Sequence, residues 1–368
     1  MHARVMRAIR VAAAAGALAV AGLAGSGGAG AAFAGGHAAV RAGGPAANAS
    51  AGFAVASVSF WSPASGVALG GVGCSYGTPC AARLMATADS GARWQFLRAP
   101  AVSVAGGSSG LSVSRVLFTG TRRGWLYRPA LWFTGDGGAH WRKLSLGGAV
   151  EAMAAGGGKV YAVVSRPGSK VPELFASPAG GNSWARVGQV SGRVLAVYGR
   201  SAWLATSNYV WATANGVKWH KFPFRCPARA GGVGLAGIAA ASPARVLFIC
   251  LGSPAGPQQV KVLLGSANGG RTSRVIRTLP LDGDGAVIAV PPGRPSQITL
   301  GTEYYLDHSA NGGKTWTVKA VAAGGGAPWN TLTFLSPAAG WAEVGGPPTY
   351  DALLHTINAG RTWRKISF

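Results

Sequence analysis

The chain of 368 residues contains 34 Lys and Arg but only 10 Asp and Glu, which gives a formal net charge of +24. With so few carboxylates, few residues could form the pair of acids that a glycoside hydrolase needs. The four cysteines contain no CxxC pair, which argues against a zinc site. We therefore expect no resident metal and no cofactor.

The N-terminus has the pattern of an export signal. The first ten residues carry three arginines, an apolar run covers residues 11–25, and an Ala-x-Ala cleavage site ends at Ala34. This pattern predicts a secretory signal peptide over residues 1–34, and hence a secreted or cell-envelope protein; an uncleaved membrane anchor is the alternative. The Gly/Ala-rich residues 35–52 are predicted to form a flexible lead-in, and we expect no transmembrane segment in the mature chain.

From residue 53 onward one short motif recurs seven times: Ser or Thr, one residue, Asp or Asn, a Gly pair or near-pair, two residues, Trp. The copy from Thr134 to Trp141 is complete, the third copy has lost its acid, the fourth is one residue short, and Ser273 replaces Trp in the fifth. The motif residues are Asp89, Trp94, Asp136, Trp141, Trp184, Asn215, Trp219, Asn268, Asn311, Trp316, Asn358 and Trp363.

The residue types of the motif favour a tight turn between two strands. The hydroxyl and the Asp or Asn oxygen can accept hydrogen bonds from turn amides, and Gly adopts a positive φ without steric cost. The Trp then opens the next strand and buries a large ring. Nothing in this turn requires a charge, which explains why Asn replaces Asp in four copies.

Two further apolar strands precede most turns, for example Val116–Phe118 followed by Gly124–Leu126. Each unit therefore has four strands, here named A to D, with the motif between C and D. The copies recur at intervals of about 35 to 54 residues, as four-stranded propeller blades do. The sequence predicts an all-β protein, a seven-bladed β-propeller of four-stranded antiparallel blades over residues 53–368. We expect unit one to close the ring by packing on unit seven, without strand exchange.

The motif resembles the Asp-box, or bacterial neuraminidase repeat, of sialidases, sortilin-type receptors and related propellers. The whole unit, with its apolar-Phe strand, Gly-Trp-Ala strand and Thr-x-Asn-x-Gly-x-Thr-Trp turn, is most similar to the photosystem II assembly-factor type of propeller. The resemblance covers roughly residues 53–368. It implies that the motif turn is structural and lies at the periphery of the blades.

Four cysteines in an exported chain suggest two disulfide bonds. Cys74 and Cys80 fall in the B–C connection of unit one. Cys226 falls in the connection that enters unit five, and Cys250 is placed at the end of strand B of that unit. Because D–A and B–C connections share one face of a propeller, the expected pairs are Cys74–Cys80 and Cys226–Cys250.

The basic charge has two interpretations. It can attract an anionic partner such as a cell-envelope polymer. It can also be an adaptation, because a chain with few carboxylates loses little ion pairing as the pH falls. Basic residues that follow the motif Trp lie on strand D, where they block edge-to-edge pairing of exposed strands.

Catalytic candidates are few. Glu303 and Tyr304 form the one acid–Tyr cluster that could supply a sialidase-type nucleophile. Arg128 lies in a Tyr-Arg-Pro segment faintly similar to the arginine motif of sialidases. No acid/base Asp is identifiable. An exo-acting, sialidase-like glycoside hydrolase is therefore the alternative function. Asp282 and Asp284 are interpreted as turn residues rather than a calcium site.

The preferred interpretation is a monomeric, non-enzymatic scaffold whose D–A and B–C loops bind a protein or an anionic cell-envelope polymer, rather than a specific nucleic acid. An anchor of this kind needs exposed aromatic or Arg groups. The candidate binding residues are Tyr76, Arg128, Glu303, Tyr304, Trp329 and Tyr350.

Overall fold

The computed structural model describes residues 52–74, 80–104, 112–181, 183–228, 234–255, 258–279, 283–321, 329–345 and 351–368. The predicted signal peptide, and all but the last residue of the predicted lead-in, lie outside these ranges. The described residues form an all-β fold.

Seven antiparallel sheets of four strands each make up the fold, and every sheet uses strands that are consecutive or nearly so in the chain. Blade 1 contains β1 (Phe53–Phe60), β2 (Gly66–Val72), β4 (Arg83–Thr87) and β5 (Gln95–Leu97); a short ribbon pairs β3 (Cys80–Ala81) with β6 (Ser103–Val104). Blade 2 contains β7 (Arg115–Phe118), β8 (Gly124–Tyr127), β9 (Leu131–Thr134) and β10 (Arg142–Leu144). Blade 3 contains β11 (Ala149–Gly156), β12 (Lys159–Ser165), β13 (Glu173–Pro178) and β14 (Ala185–Ser191).

The remaining blades repeat this order. Blade 4 contains β15 (Val194–Tyr198), β16 (Ser201–Ala205), β17 (Tyr209–Thr213) and β18 (His220–Pro223). Blade 5 contains β19 (Gly234–Ala240), β20 (Val246–Ala255), β21 (Gln258–Ser266) and β22 (Arg274–Leu279). Blade 6 contains β23 (Val287–Ala289), β24 (Ile298–Gly301), β25 (Tyr305–Ser309) and β26 (Thr317–Val321). Blade 7 contains β27 (Trp329–Phe334), β28 (Gly340–Gly345), β29 (Asp351–Thr356) and β30 (Arg364–Ile366).

Burial rises from the rim of the ring towards its axis. The A strands of neighbouring blades touch one another, as β15 touches β19 and β19 touches β23. The D strands are mostly exposed, and β22 is exposed at every residue except its last. The predicted seven-bladed propeller is therefore confirmed, with strand A innermost and strand D at the rim.

The hydrophobic core is divided among the seams between blades. Seven clusters of buried apolar side chains occur among the described residues, and each is shared by two neighbouring blades. One cluster joins blade 1 to blade 7, where the ring of Phe60 stacks on that of Trp341 at a centroid distance of 4.1 Å. No strand of either blade crosses to the other sheet. The prediction that blade 1 packs on blade 7 without strand exchange is confirmed.

Both predicted disulfide bonds are present. Cys74 is bonded to Cys80 beside the B–C connection of blade 1, and Cys226 is bonded to Cys250. The predicted position of Cys250 is wrong in one respect. It lies in the interior of β20, opposite Leu235 and Val262, because strand B of blade 5 continues to Ala255. The second bond thus links the exit of blade 4 to the buried part of blade 5.

The motif forms the turn between strands C and D. In the complete copy, Thr134 Oγ1 accepts a hydrogen bond from the amide of Gly138 (2.9 Å) and donates one to Asp136 Oδ1 (2.8 Å). Gly138 has a φ of 95°, which a residue with a Cβ rarely adopts. Where the acid is lost, the backbone closes the turn, since the amide of Gly181 donates to the Pro178 carbonyl.

In four copies of the motif, the side chain of the Asp or Asn contacts the side chain of the residue four positions later, and that residue differs between the Asp copy and the Asn copies. The Nδ2 atoms of Asn268, Asn311 and Asn358 donate to the hydroxyls of Thr272, Thr315 and Thr362. The Asp136 carboxylate instead pairs with His140 Nδ1 at 2.7 Å, and the amide hydrogen bond of His140 lowers the pKa of that carboxyl to about 2. An amide group needs an acceptor there, whereas a carboxylate needs a donor.

We expect the Thr134→Val variant to lose about 1–2 kcal/mol of unfolding free energy, because it leaves the buried Gly138 amide without its acceptor. Asp136→Asn is the matched variant, and it should cost less than about 1 kcal/mol because the ion pair with His140 is largely exposed. Denaturant unfolding of both variants measures this. Equal losses would show that the charge contributes as much as the hydroxyl and would contradict the prediction.

Candidate functional site

The motif turns and the A–B turns lie on one face of the ring. We call the opposite face, formed by the B–C and D–A connections around Arg128, Glu303 and Tyr304, the loop face. Two of the residues predicted to bind there, Tyr76 and Tyr350, lie outside the described residues. The other four are described, and they differ in how accessible they are.

Trp329 does not lie in a loop as expected. It is the first residue of β27, is 4 % exposed, and packs in the cluster between blades 6 and 7. The Gly/Ala-rich stretch that precedes it suggested a connection, but the innermost strand already begins at this residue. Its ring therefore stabilises a seam and is not presented to solvent.

Arg128 follows strand B of blade 2 and is half-buried. Its φ is 72°, and it is the one described non-glycine residue outside the motif turns with a positive φ, since Ser90 and Ala359 belong to those turns. Residues held in this region often occur at functional sites. Burial lowers the pKa of the Arg128 guanidinium, the positive charge of Arg115 lowers it further, and Glu151 opposes both.

Arg115 lies beside Arg128 at the start of β7 and is 8 % exposed. Its Nη1 donates to the carbonyls of Ala56 and Ser114, each at 3.1 Å, and its Nη2 donates to Asn330 Oδ1 at 3.5 Å. Ala56 belongs to blade 1 and Asn330 to blade 7. This side chain thus reaches across blade 1 and ties three A strands together near the axis.

A buried carboxylate completes this network. Glu343, in strand B of blade 7, is 0 % exposed and accepts hydrogen bonds from Thr331 Oγ1 at 3.1 Å and from Asn330 Nδ2 at 3.3 Å. Asn330 Nδ2 also donates to the Gly345 carbonyl. Sequence reasoning missed Arg115, Asn330 and Glu343; the available signal was a charged residue within a strand otherwise made of apolar residues, as Arg115 is in β7 and Glu343 is in β28.

Glu303 and Tyr304 form the B–C connection of blade 6. The Glu303 carboxylate accepts a hydrogen bond from the Asp284 amide at 3.1 Å, and the Glu303 amide donates to the Asp284 carbonyl at 3.0 Å. The negative charge of Glu303 raises the pKa of the Tyr304 hydroxyl. Glu303 therefore fastens two loops together, and its charge opposes the deprotonation that a nucleophilic tyrosine needs.

The arginine and the acid–Tyr pair lie in different electrostatic surroundings. The charges that act on Arg128 come from Arg115, Glu151 and Tyr127, on blades 2 and 3. Those that act on Tyr304 come from Glu303, Asp284 and Tyr305, on or beside blade 6. None of these groups is shared between the two residues.

Within the described ranges, no group of three or more His, Cys, Asp or Glu side chains is placed to hold a metal ion. The same residues contain no helix long and apolar enough to cross a membrane. Asp282, considered for calcium together with Asp284, lies outside the described residues.

No protein-family model and no curated protein matches the chain. Among solved structures, it is similar to YCF48 bound to a D1 peptide, with 18% identity and a TM-score of 0.54 over 83% of this chain and 93% of that one. YCF48 from Cyanidioschyzon merolae gives 16% identity and a TM-score of 0.56 over 84% and 97%. An ancestral GH74 enzyme gives 13% identity and a TM-score of 0.54 over 84% of this chain but 44% of the enzyme.

These likenesses establish the fold. At such sequence identities they support the propeller architecture only. The function of this chain has to be argued from its own residues.

Proposed function

We propose that this protein is an exported, non-enzymatic Asp-box propeller whose loop face binds a carboxylate-bearing segment of another protein. The observation that carries the proposal is Arg128 on that face, a half-buried arginine with a φ of 72° whose pKa is lowered by burial and by the positive charge of Arg115. The Arg115 guanidinium already donates hydrogen bonds to blades 1 and 7. Arg128 is half-buried, and its positive charge is repelled by that of Arg115.

A carboxylate suits this position because the planar guanidinium fork can bind its two oxygens at once. A second anion beside Glu151 would also relieve the repulsion between the two arginines. Glu303 and Tyr304 are proposed contacts for the rest of the segment, together with the loops that carry Tyr76 and Tyr350. The solved YCF48 structure, which holds a D1 peptide on a propeller of similar fold, supports a protein segment as the ligand.

Export is proposed on two grounds. The N-terminal sequence has the pattern of a signal peptide, and two disulfide bonds are typical of proteins from oxidising compartments. We therefore place the binding function at the cell envelope or outside the cell. The basic charge of the chain then favours acidic partners in general, and the loop face supplies the specific contact.

The test compares Arg128→Ala with Arg364→Ala, which removes the same charge from the exposed rim strand β30. The probes are arrays of acidic peptides with free and amidated C-termini, and polyphosphate beads. We expect Arg128→Ala to weaken the best peptide about tenfold and Arg364→Ala to leave it nearly unchanged. Equal losses, or salt-sensitive retention on polyphosphate with no peptide preference, would overturn the proposal in favour of general polyanion binding.

The hydrolase alternative has its own assay. The mature domain would be incubated with fluorogenic sialosides and β-glucans, alongside Glu303→Gln. We expect no turnover above buffer for either protein. Activity that disappears in Glu303→Gln would overturn the scaffold assignment.

A further inference from the structure

In six of the seven blades, the motif Trp helps to fill the seam with the preceding blade. Trp184 of blade 3 meets Trp125 of blade 2 edge-on at 6.5 Å, and Trp219 of blade 4 meets Tyr161 of blade 3 at 5.9 Å. In both pairs, the partner is an aromatic residue on strand B of the preceding blade. Trp316 and Trp363 likewise pack on the clusters between blades 5 and 6 and between blades 6 and 7.

Blade 5 breaks this rule, because the exposed Ser273 takes the place of its motif Trp. The strand-B aromatic of blade 4, Trp203, is still present and is 1 % exposed. Its Nε1 donates to the Gly269 carbonyl of the blade 5 turn at 2.8 Å. The seam between blades 4 and 5 thus keeps the strand-B aromatic, Trp203, but lacks the motif Trp that helps to fill the corresponding seam in each of the other six blades.

A half-open pocket of about 250 Å³ lies in this seam; Ser273 itself does not line it, but Arg271, two residues earlier, does. Trp203, Ala212 and Phe222 of blade 4 form its apolar wall, and Pro243 and Gly269 of blade 5 form the other side. An engineered apolar cavity of roughly 150 Å³ holds benzene, whereas drug-sized ligands occupy roughly 300–1,000 Å³. The size therefore suits one aromatic side chain.

Lys218 and Arg271 make the mouth of the pocket positively charged. His220 also lines it, and all three side chains are exposed. No Asp or Glu occurs in the sequence between Glu173 and Asp282, so blades 4 and 5 carry no acidic side chain. This seam attracts carboxylates and repels other cations.

We infer that this cavity, which we call the seam pocket, binds an aromatic side chain of a partner protein whose neighbouring residues are acidic. The chain's own N-terminal residues 1–51 do not fit, since they contain no Asp or Glu and only one Phe, Tyr or Trp, which is Phe33. A second copy of the protein would bring the same positive charge. The pocket lies beside the motif turns, on the side of the ring away from the loop face, so it does not depend on the function proposed for Arg128.

The first test uses N-acetyl-Asp-Trp-Asp-amide as the probe, with Asp-Ala-Asp and Lys-Trp-Lys versions as controls. Titration calorimetry measures affinity, and the shift of the Trp203 indole N–H resonance reports the position. We expect the Asp-Trp-Asp peptide to bind at least about tenfold more tightly than either control. Equal binding of the Ala version would remove the role of the ring and overturn the inference.

Two sets of variants test the location. Ser273→Trp restores the missing ring and should abolish binding, whereas Ser273→Ala keeps the pocket open and should bind as the wild type does. Because the larger residue could disturb folding, the surface variant Lys218→Glu/Arg271→Glu gives an independent readout. It should reverse the preference towards the Lys-Trp-Lys peptide. Unchanged binding in Ser273→Trp, or unchanged preference in the charge-reversal variant, would overturn the assignment.

Discussion

Replacing Trp341 with Ala is expected to lower the free energy of unfolding by about 3–5 kcal/mol, the usual cost of deleting a fully buried Trp. Trp341 is 0 % exposed and lies between the rings of Phe60 at 4.1 Å and His355 at 4.7 Å, nearly parallel to both. It is the largest side chain of the cluster that joins blade 7 to blade 1. Its removal leaves a cavity in the seam that closes the ring.

This seam differs from the other six in one respect. Between other neighbouring blades, the chain runs directly from one sheet to the next, whereas blades 1 and 7 contain opposite ends of the propeller and share no strand. Side-chain packing is thus the main force holding them together, with Arg115 adding a hydrogen-bonded tie from blade 2 to blades 1 and 7. The Trp341→Ala variant should therefore open locally at β1 and β28 before it unfolds globally.

Trp125→Ala is the matched control. Trp125 is also 0 % exposed, lies on strand B, and packs between blades 2 and 3; neither indole N–H has a hydrogen-bond partner among the described residues. Both variants should lose similar global stability. Amide hydrogen exchange should accelerate in β1 and β28 for Trp341→Ala, and no comparable local opening should occur in β8 for Trp125→Ala. Identical exchange patterns would show that closure does not depend on this packing.

The architecture could be predicted from the sequence because its determinants are local. Each motif turn is held by atoms within four residues of one another, as between Thr134 and Gly138, so seven copies predict seven equivalent hairpins. The number of blades and the absence of strand exchange then follow from counting complete units. The disulfide pairs were predictable for a related reason, since strand order decides which connections share a face.

A finer local rule was also present in the sequence and was overlooked. Three of the four Asn copies have Thr four residues later, and the Asp copies have Arg93 or His140 there. The structure shows the reason, which is that the amide group donates and the carboxylate accepts. Asn and Asp thus make the same backbone contact in the turn but take different side-chain partners.

The site could not be predicted in the same way because it depends on distances across the ring. Arg115 and Asn330 are 215 residues apart and meet because blade 1 between them is narrow at the axis. The sequence placed Trp329 in an exposed loop, but Trp329 begins an innermost strand and is buried against a neighbouring blade. The absence of Trp at position 273 was visible in the sequence, but only the structure shows the pocket that Trp203 lines in this seam.

The few carboxylates of the chain suggested tolerance of acid, and the structure identifies the residue that should set its limit. His308 on strand C of blade 6 is 3 % exposed, and its Nε2 lies 3.1 Å from Gln297 Oε1. Burial, followed by the positive charges of Lys319 and Arg361, lowers the pKa of His308 from an ordinary 6.5 to about 4. Burial also lowers the pKa of His355, at the matching position of blade 7.

A histidine with a lowered pKa in the fold stabilises the protein while it is neutral, above about pH 6.5. Between pH 6.5 and pH 4 the unfolded chain binds a proton that the folded chain does not, so stability is lost through this window. We expect the wild type to lose about 3 kcal/mol from His308 between pH 7 and pH 4, at roughly 1.4 kcal/mol per unit of pKa difference. Below pH 4 this residue should cause little further loss.

His308→Gln removes the titrating group and keeps a polar side chain beside Gln297, while the exposed His220→Gln serves as the control. Unfolding free energies measured at half-unit steps from pH 7.5 to pH 3.5 should fall less steeply for His308→Gln than for the wild type. The His220→Gln curve should parallel that of the wild type. If His308→Gln is equally steep, the acid sensitivity lies elsewhere, and His355→Gln in the seam with Trp341 becomes the variant to measure, because protonation there would weaken the closure of the ring.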